Sequence, residues 1–300
     1  MESYQMSDEE KTFLENYDIA SFERPSLAAD IVMFSILEEG ERDSIRRLQK
    51  KKLKVLLIRR ASYPYKDYFA LPGGFCVPGE DVLETARREL YEETNVTDAY
   101  LKLFGVYGEK ERDPRGWIIS NAFMALFDGS RCRLKAGTDA WEARWFSIDL
   151  EKENEKKSGH GEEVQVESIY RLGLSNEETG TSFVVKVLEE KHYRNFHETI
   201  RYEIQEQGCL AFDHAKIILE ALFRLEKEIK YHPAGIFDLM PEEFTLTQLQ
   251  MAMEIVQGVR LTTPNFRRKF AEFVTETEHT ISGEGFRPAR LFRRNVERLY

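Results

Sequence analysis

Cysteine is scarce: Cys76, Cys132 and Cys209 are the only three in 300 residues, scattered without a CxxC or a Cys/His ligand spacing. That excludes a disulfide framework and a zinc knuckle, and fits free thiols in a reducing cytoplasm. Long apolar runs are missing too. Stretches such as IVMFSIL fall far short of the ~20 residues that span a bilayer. The start, MESYQMSDEE, has no apolar core of a signal peptide. Positive charge is in deficit. A formal net charge of -10 argues against a protein that coats nucleic acid over its whole surface, yet permits a local basic module. No repeat or heptad run is present. The expectation is a soluble cytoplasmic chain without a membrane partner, whose 42% hydrophobic content suffices for one large core or two smaller ones.

What is present is concentrated in one segment, GGFCVPGEDVLETARRELYEETNV, at 73–96. The pattern predicts a helix over Val82–Thr94, with Leu83, Ala86 and Leu90 as its apolar stripe. Glu89, Glu92 and Glu93 stand at i, i+3 and i+4, so three carboxylates share a face. Like charges at that spacing repel by a few tenths of a kcal/mol per pair. A hard divalent cation bound through oxygen would offset the repulsion. A solvated acidic face is the plainer explanation of a charge run, but it does not account for the glycine loop beside it.

Around this segment, ADIVMFSILEEG and KVLLIRRA read as an antiparallel strand pair joined by a charged loop. KLFGVYGE, GWIISNAFMALFD and AWEARWFSID supply further strands, separated by turn signals that include ERDPRG. Strands on both sides of a long helix, without strict alternation, indicate an α+β fold with a mixed sheet. From Glu151, EKENEKKSGHGEE reads as a polar linker or exposed loop. A β-hairpin follows, VESIYRLGL and SFVVKVL, turning at Asn176–Gly180, within an insertion at 151–207 that would cover one domain face. LAFDHAKIILEALFRLEKEIKY reads as a helix with Asp213 as N-cap, ended by Pro233 and Gly235.

The C-terminal part has the order helix, turn, helix, hairpin. Thr245 caps the first helix and Gly258 stops it; Thr263 and Pro264 open the second, NFRRKFAEFVTET; ISGEGFRPARLFRR is the hairpin. That is the grammar of a winged helix-turn-helix. From Pro264 onward eight Lys/Arg face five Glu, a local excess of +3 in an acidic chain. Arg267, Arg268 and Lys269, at the start of the second helix, and Arg287 and Arg290 on the wing are the candidate DNA contacts. The expected division is 1–235 and 236–300.

Gly74, Glu80, Arg88-Glu89-Leu90, Glu92-Glu93 and Asn95-Val96 keep the spacing of the Nudix box, which this segment resembles. One departure is Asn95, where the box has glycine; Asn is the usual substitute where φ is positive. The resemblance covers most of 20–150 and 208–235 and implies an α/β/α sandwich with magnesium- or manganese-dependent attack of water on a diphosphate. It implies Glu89, Glu92, Glu93 and the Gly73 carbonyl as metal ligands, with Glu92, Glu93 and Arg88 in catalysis and Arg88 holding a carboxylate in place. Gly74, Glu80, Asp113 and Arg115 are expected at the substrate, Glu80 as a brace of loop on helix. Glu142 is the candidate general base. Phe22, Tyr107 and Trp117 are candidate adenine-stacking rings, although core packing suits each better, and His214 reads as a capping or packing residue.

With its terminal winged helix the chain resembles the Nudix-related transcriptional regulators. That resemblance implies two functions: hydrolysis of ADP-ribose or a related nucleoside diphosphate derivative, or ADP-ribose-responsive binding of operator DNA with weak or no hydrolysis. The retained box carboxylates favour the first. A homodimer is expected, with coupled ligand and DNA sites.

Overall fold

The computed structural model describes residues 4–39, 50–96, 99–129, 143–161, 163–195, 197–281 and 288–299. Helix α1 (Asp8–Asn16) is capped by Ser7 and buries none of its residues. Strand β1 (Ser26–Glu38) is the centre of the fold. Ile31 and Met33 belong to one core cluster, Val32 and Phe34 to another, so successive side chains alternate between two buried faces. β1 runs parallel to β6 (Ile118–Leu126) and antiparallel to β2 (Lys51–Arg59) and the short β4 (Gly73–Phe75), which makes the sheet mixed. The remaining strands are β3 (Phe69–Ala70), β5 (Tyr100–Tyr107), β7 (Arg144–His160), β8 (Glu163–Asn176), β9 (Thr181–Arg194) and β10 (His197–Glu206). The main path is β10-β9-β8-β7-β2-β1-β6-β5, with β3 on β2 and β4 on β1.

Helix α2 (Val82–Thr94) covers one face through Ala86 and Leu90; α3 (His214–Tyr231) covers the other through Ile218, Leu222 and Leu225. This is the expected sandwich. Asp81 starts α2 by accepting from the backbone N–H groups of Leu83 and Glu84, and its own backbone N–H donates to Glu84 Oε2. Asn95 ends it in the left-handed conformation, φ 61°. Asn95→Val should therefore cost about 1–2 kcal/mol in denaturant melts, since a β-branched residue tolerates that conformation poorly, while Asn95→Gly should be near neutral.

Three expectations need correction. Residues 151–160 are not a linker. They continue β7, paired with β8 from Ser147↔Ser175 to His160↔Glu163. Their side chains are exposed, so composition alone resembles a loop, but the backbone groups are satisfied by the neighbouring strand. The predicted hairpin exists as β8–β9, yet it extends the sheet edge in a four-stranded meander instead of forming a separate cover. The second helix of the terminal segment stops early: α5 spans Thr263–Phe270, and β11 begins at Val274. Pairing of β11 (Val274–Ile281) with β12 (Ala289–Arg294) overrides the helical reading of FVTET.

Helix α4 (Leu246–Gln257) is bounded as expected, by a Thr245–Gln248 capping box and by Gly258 at φ 63°. An isolated bridge between Phe244 and Phe292 ties the approach of α4 to the wing. Leu249 and Met253 of α4 and Phe266 and Phe270 of α5 join the same hydrophobic cluster as α3 and the sheet. No helix among the described residues is long and apolar enough to cross a membrane.

Candidate functional site

The glycine loop lies where a side chain would collide. A Cβ on Gly73 would stand 2.1 Å from the Ala29 carbonyl oxygen, and one on Gly74 would stand 2.1 Å from Glu89 Oε1. Glycine thus lets β4 lie directly against β1 and the carboxylate face of α2. The Gly73 N–H donates to Glu93 Oε2 at 3.2 Å.

Arg88 organises the face. Its Nε and Nη2 donate to the two Glu80 oxygens at 2.8 and 3.2 Å, a two-point fork. Its Nη1 donates to Glu89 Oε1 at 2.6 Å and Glu92 Oε2 at 3.4 Å, and Nη2 also reaches the Phe75 carbonyl at 3.2 Å. Glu80 further accepts from Thr85 Oγ1 at 3.0 Å. Glu80 is accordingly a brace between loop and helix. The Arg88 fork, aided by Thr85, holds the Glu80 carboxyl below the usual range.

Glu89 and Glu93 are perturbed the other way. Loss of water raises the Glu89 pKa in spite of Arg88. Glu93 is raised well above the ordinary value by loss of water and then by the charges of Glu89, Asp30 and Glu92, against one backbone N–H. Two carboxylates drawn out of water on one helix face suit a hard divalent cation. Among the described residues no three acidic, His or Cys side chains converge into a ready-made cage. Magnesium does not require one, because one or two carboxylates plus ligand phosphates and waters complete its shell. The donor set fits.

Behind the loop lies a polar network that sequence reasoning did not assemble. Arg112 forks onto Asp213 at 2.9 and 2.8 Å and reaches Asp30 at 3.2 Å, with all three side chains largely buried. Ser120 Oγ donates to Asp30 at 2.5 Å. Asp213 occupies the expected cap position of α3 but makes no side-chain cap bond, because Arg112 holds its carboxylate. His214 Nδ1 accepts the Leu71 N–H at 2.9 Å, two residues ahead of Gly73, and burial lowers its pKa. A neutral ring with its proton on Nε2 therefore anchors the box loop from α3. The signal available beforehand was Asp30, a lone carboxylate in an apolar strand.

The ERDPRG turn is built around this clamp. Asp113 is buried and accepts Arg115 Nε and Nη2 at 3.0 and 2.6 Å, so it positions Arg115. Arg115 lies over the Phe75 ring. Tyr107 donates to Glu220 at 2.8 Å and packs against the core, whereas Phe22 and Trp117 are exposed. Glu142 and Arg287 fall outside the described residues. On α5, Arg267, Arg268 and Lys269 are exposed in the last turn, not the first, opposite the buried Phe266 and Phe270. Arg290 pairs with Glu276 across the wing.

Two grooves, about 970 and 840 Å³, open between the sheet and the 237–252 segment or wing, the first reaching only the end of the box at Asn95 and Val96. Neither groove is lined by Gly73, Gly74, Glu80, Arg88, Glu89, Glu92 or Glu93.

Residues 44–165 match the model of the NUDIX domain, and 236–294 match that of the NrtR DNA-binding winged helix domain. The chain is 30% identical to the ADPR responsive transcriptional repressor NtrR of Acinetobacter baylyi, over 95% of this chain and 88% of that one. It is 46% identical over 100 residues to an ADP-ribose pyrophosphatase of Methanocaldococcus jannaschii, covering 33% of this chain and 58% of the relative. The crystal structure of Shewanella oneidensis NrtR complexed with a 27mer DNA has the same fold, with a TM-score of 0.57 and 22% identity over 91% of this chain and 95% of that one.

Proposed function

Because the chain belongs to the Nudix proteins that end in an NrtR-type winged helix, we propose that it is a ligand-responsive DNA-binding regulator. The ligand is ADP-ribose or a related nucleoside diphosphate derivative, recognised at the box face. The observation that carries this reading is α3. Its first turn holds the box loop through His214 and Leu71, and its later turns share a hydrophobic cluster with α4 and α5. α3 thus links the box loop to α4, on which α5 packs, and a shift at one end can bias the other. The division at 235/236 and a homodimeric assembly belong to the same reading.

Retained hydrolysis is the second reading, favoured by the complete set Glu89, Glu92 and Glu93. Glu89 and Glu93, with the Gly73 carbonyl, would hold the cation, which when bound would neutralise the diphosphate and activate water. Arg88 keeps Glu89 in place, and Glu80 keeps Arg88 in place. His214 and the two glycines fix how closely the loop approaches.

DNA binding is tested by gel shift with DNA from upstream of the protein's own operon, with and without ADP-ribose. Retardation should fall steeply with salt, and Arg267→Gln/Arg268→Gln/Lys269→Gln should weaken it by at least about tenfold and flatten the salt dependence. ADP-ribose should shift the affinity, and by reciprocity operator DNA should shift ADP-ribose affinity by the same factor. No retardation at low salt in either condition would refute the regulator reading.

A further inference from the structure

Strand β5 closes one edge of the large sheet and β10 closes the other, and the two edges are built differently. β10 carries Glu198, Arg201, Glu203 and Glu206, charges that deter a further strand from pairing. β5, YLKLFGVY, carries only Lys102, and Glu228 neutralises it at 2.7 Å. Among the described residues no backbone group on the free side of β5 has a partner. A bulge between Leu103 and Gly105 lets Phe104 and Tyr107 both face the core under α3. Leu103 and Val106 are left on the opposite face, 47% and 63% exposed, beyond the reach of α2, which packs on β1 and β4. Leu27 of β1 and Trp117 ahead of β6 are exposed as well. An apolar strand edge with its one charge neutralised is a template for another strand.

We propose that β5 is the seam of the homodimer, pairing antiparallel with β5 of a second copy about a two-fold axis at Leu103. The strand is its own complement. Its exposed apolar residues, Tyr100, Leu103 and Val106, are evenly spaced about Leu103, so reversal sets Tyr100 against Val106 and Leu103 against its twin. Lys102 then stands opposite Phe104, and no like charges meet directly across the seam. Pairing also satisfies the open backbone groups of the edge. Within each copy β5 runs from the wing side to the box side. Tyr100 lines the groove beside Arg293 and Arg294 of the wing, and Tyr107 leads to the ERDPRG turn, whose Arg112 holds Asp30 and Asp213. The seam presupposes the homodimeric reading, and it can fail while that reading stands.

The test is sedimentation of the full chain and its variants over a range of concentrations. The unaltered chain should be a dimer. Leu103→Lys and Leu103→Glu should each raise the dimer dissociation constant at least about tenfold, because like charges would face each other at the axis. Mixed in equal amounts, the two variants should re-form a dimer, since opposite charges then meet. Ile200→Lys, on the exposed part of β10, should leave the dimer intact. Melting temperatures report whether each variant folds, and amide hydrogen exchange on the unaltered chain needs no substitution: protection of β5 should rise with protein concentration. A dimer that persists in both Leu103 variants, a mixture that stays monomeric, or exchange in β5 that is independent of concentration overturns the seam and leaves the homodimer standing. An unaltered chain that sediments as a monomer removes both.

Discussion

On the hydrolysis reading, Glu93→Gln should lower turnover of ADP-ribose in magnesium by roughly 10²–10³-fold, the rate equivalent of a cation contribution of several kcal/mol. The amide keeps the size of the side chain and cannot serve as a charged ligand. It should also change stability in a way that a purely structural residue would not. The fold holds the Glu93 carboxylate away from water, with the Gly73 N–H as its hydrogen-bond donor and Glu89 close by. A carboxyl whose folded-state pKa is raised binds its proton more tightly folded than unfolded. Its contribution to stability therefore declines as pH rises from the ordinary glutamate value of ~4.3 through the raised one. In EDTA, Glu93→Gln should melt higher than the unaltered chain, by a margin that widens over that interval. Added magnesium should then raise the melting temperature of the unaltered chain and leave the variant unmoved. Equal hydrolysis rates, or equal stabilisation by magnesium, would remove Glu93 from the metal site.

The second large effect is on the fold. Arg112→Met should destabilise the chain by about 3–5 kcal/mol, because it leaves Asp30 and Asp213 buried without their cation. Burial opposes the charge on Arg112, but the Asp213 hydrogen bonds and the charges of both aspartates outweigh it and hold its pKa above the ordinary value. Denaturant melts of Arg112→Met, Asp213→Asn and the double variant measure the coupling. The double variant should be less destabilised than the two single effects combined, since each substitution removes the partner that the other strands. Additive losses would mean that Arg112 acts through packing alone. The same clamp joins the ERDPRG turn to the start of α3, so Arg112→Met should also loosen the hold of α3 on the box loop through the neighbouring His214.

Local chemistry was legible in the sequence wherever it depends on neighbours along the chain. The glycine loop, the α2 boundaries, the shared carboxylate face, the positive φ of Asn95, the Thr245 cap and the Gly258 stop all follow from short-range sterics and hydrogen bonding. The Nudix spacing rests on the same local rules, and so does the order of elements in the winged helix. What the sequence could not supply was pairing at a distance. Residues 151–160 form a strand because β8 satisfies their backbone, and FVTET turns to β-structure because β12 lies beside it; neither partner is adjacent in sequence. Asp30, Arg112 and Asp213 come from positions 82 and 101 residues apart, and His214 reaches Leu71 across 143. Arg60 and Arg115 lie over one ring because the packing places Phe212 beneath both. Long-range packing, which sets the dielectric and the partners of each charge, decided which polar residues brace the site.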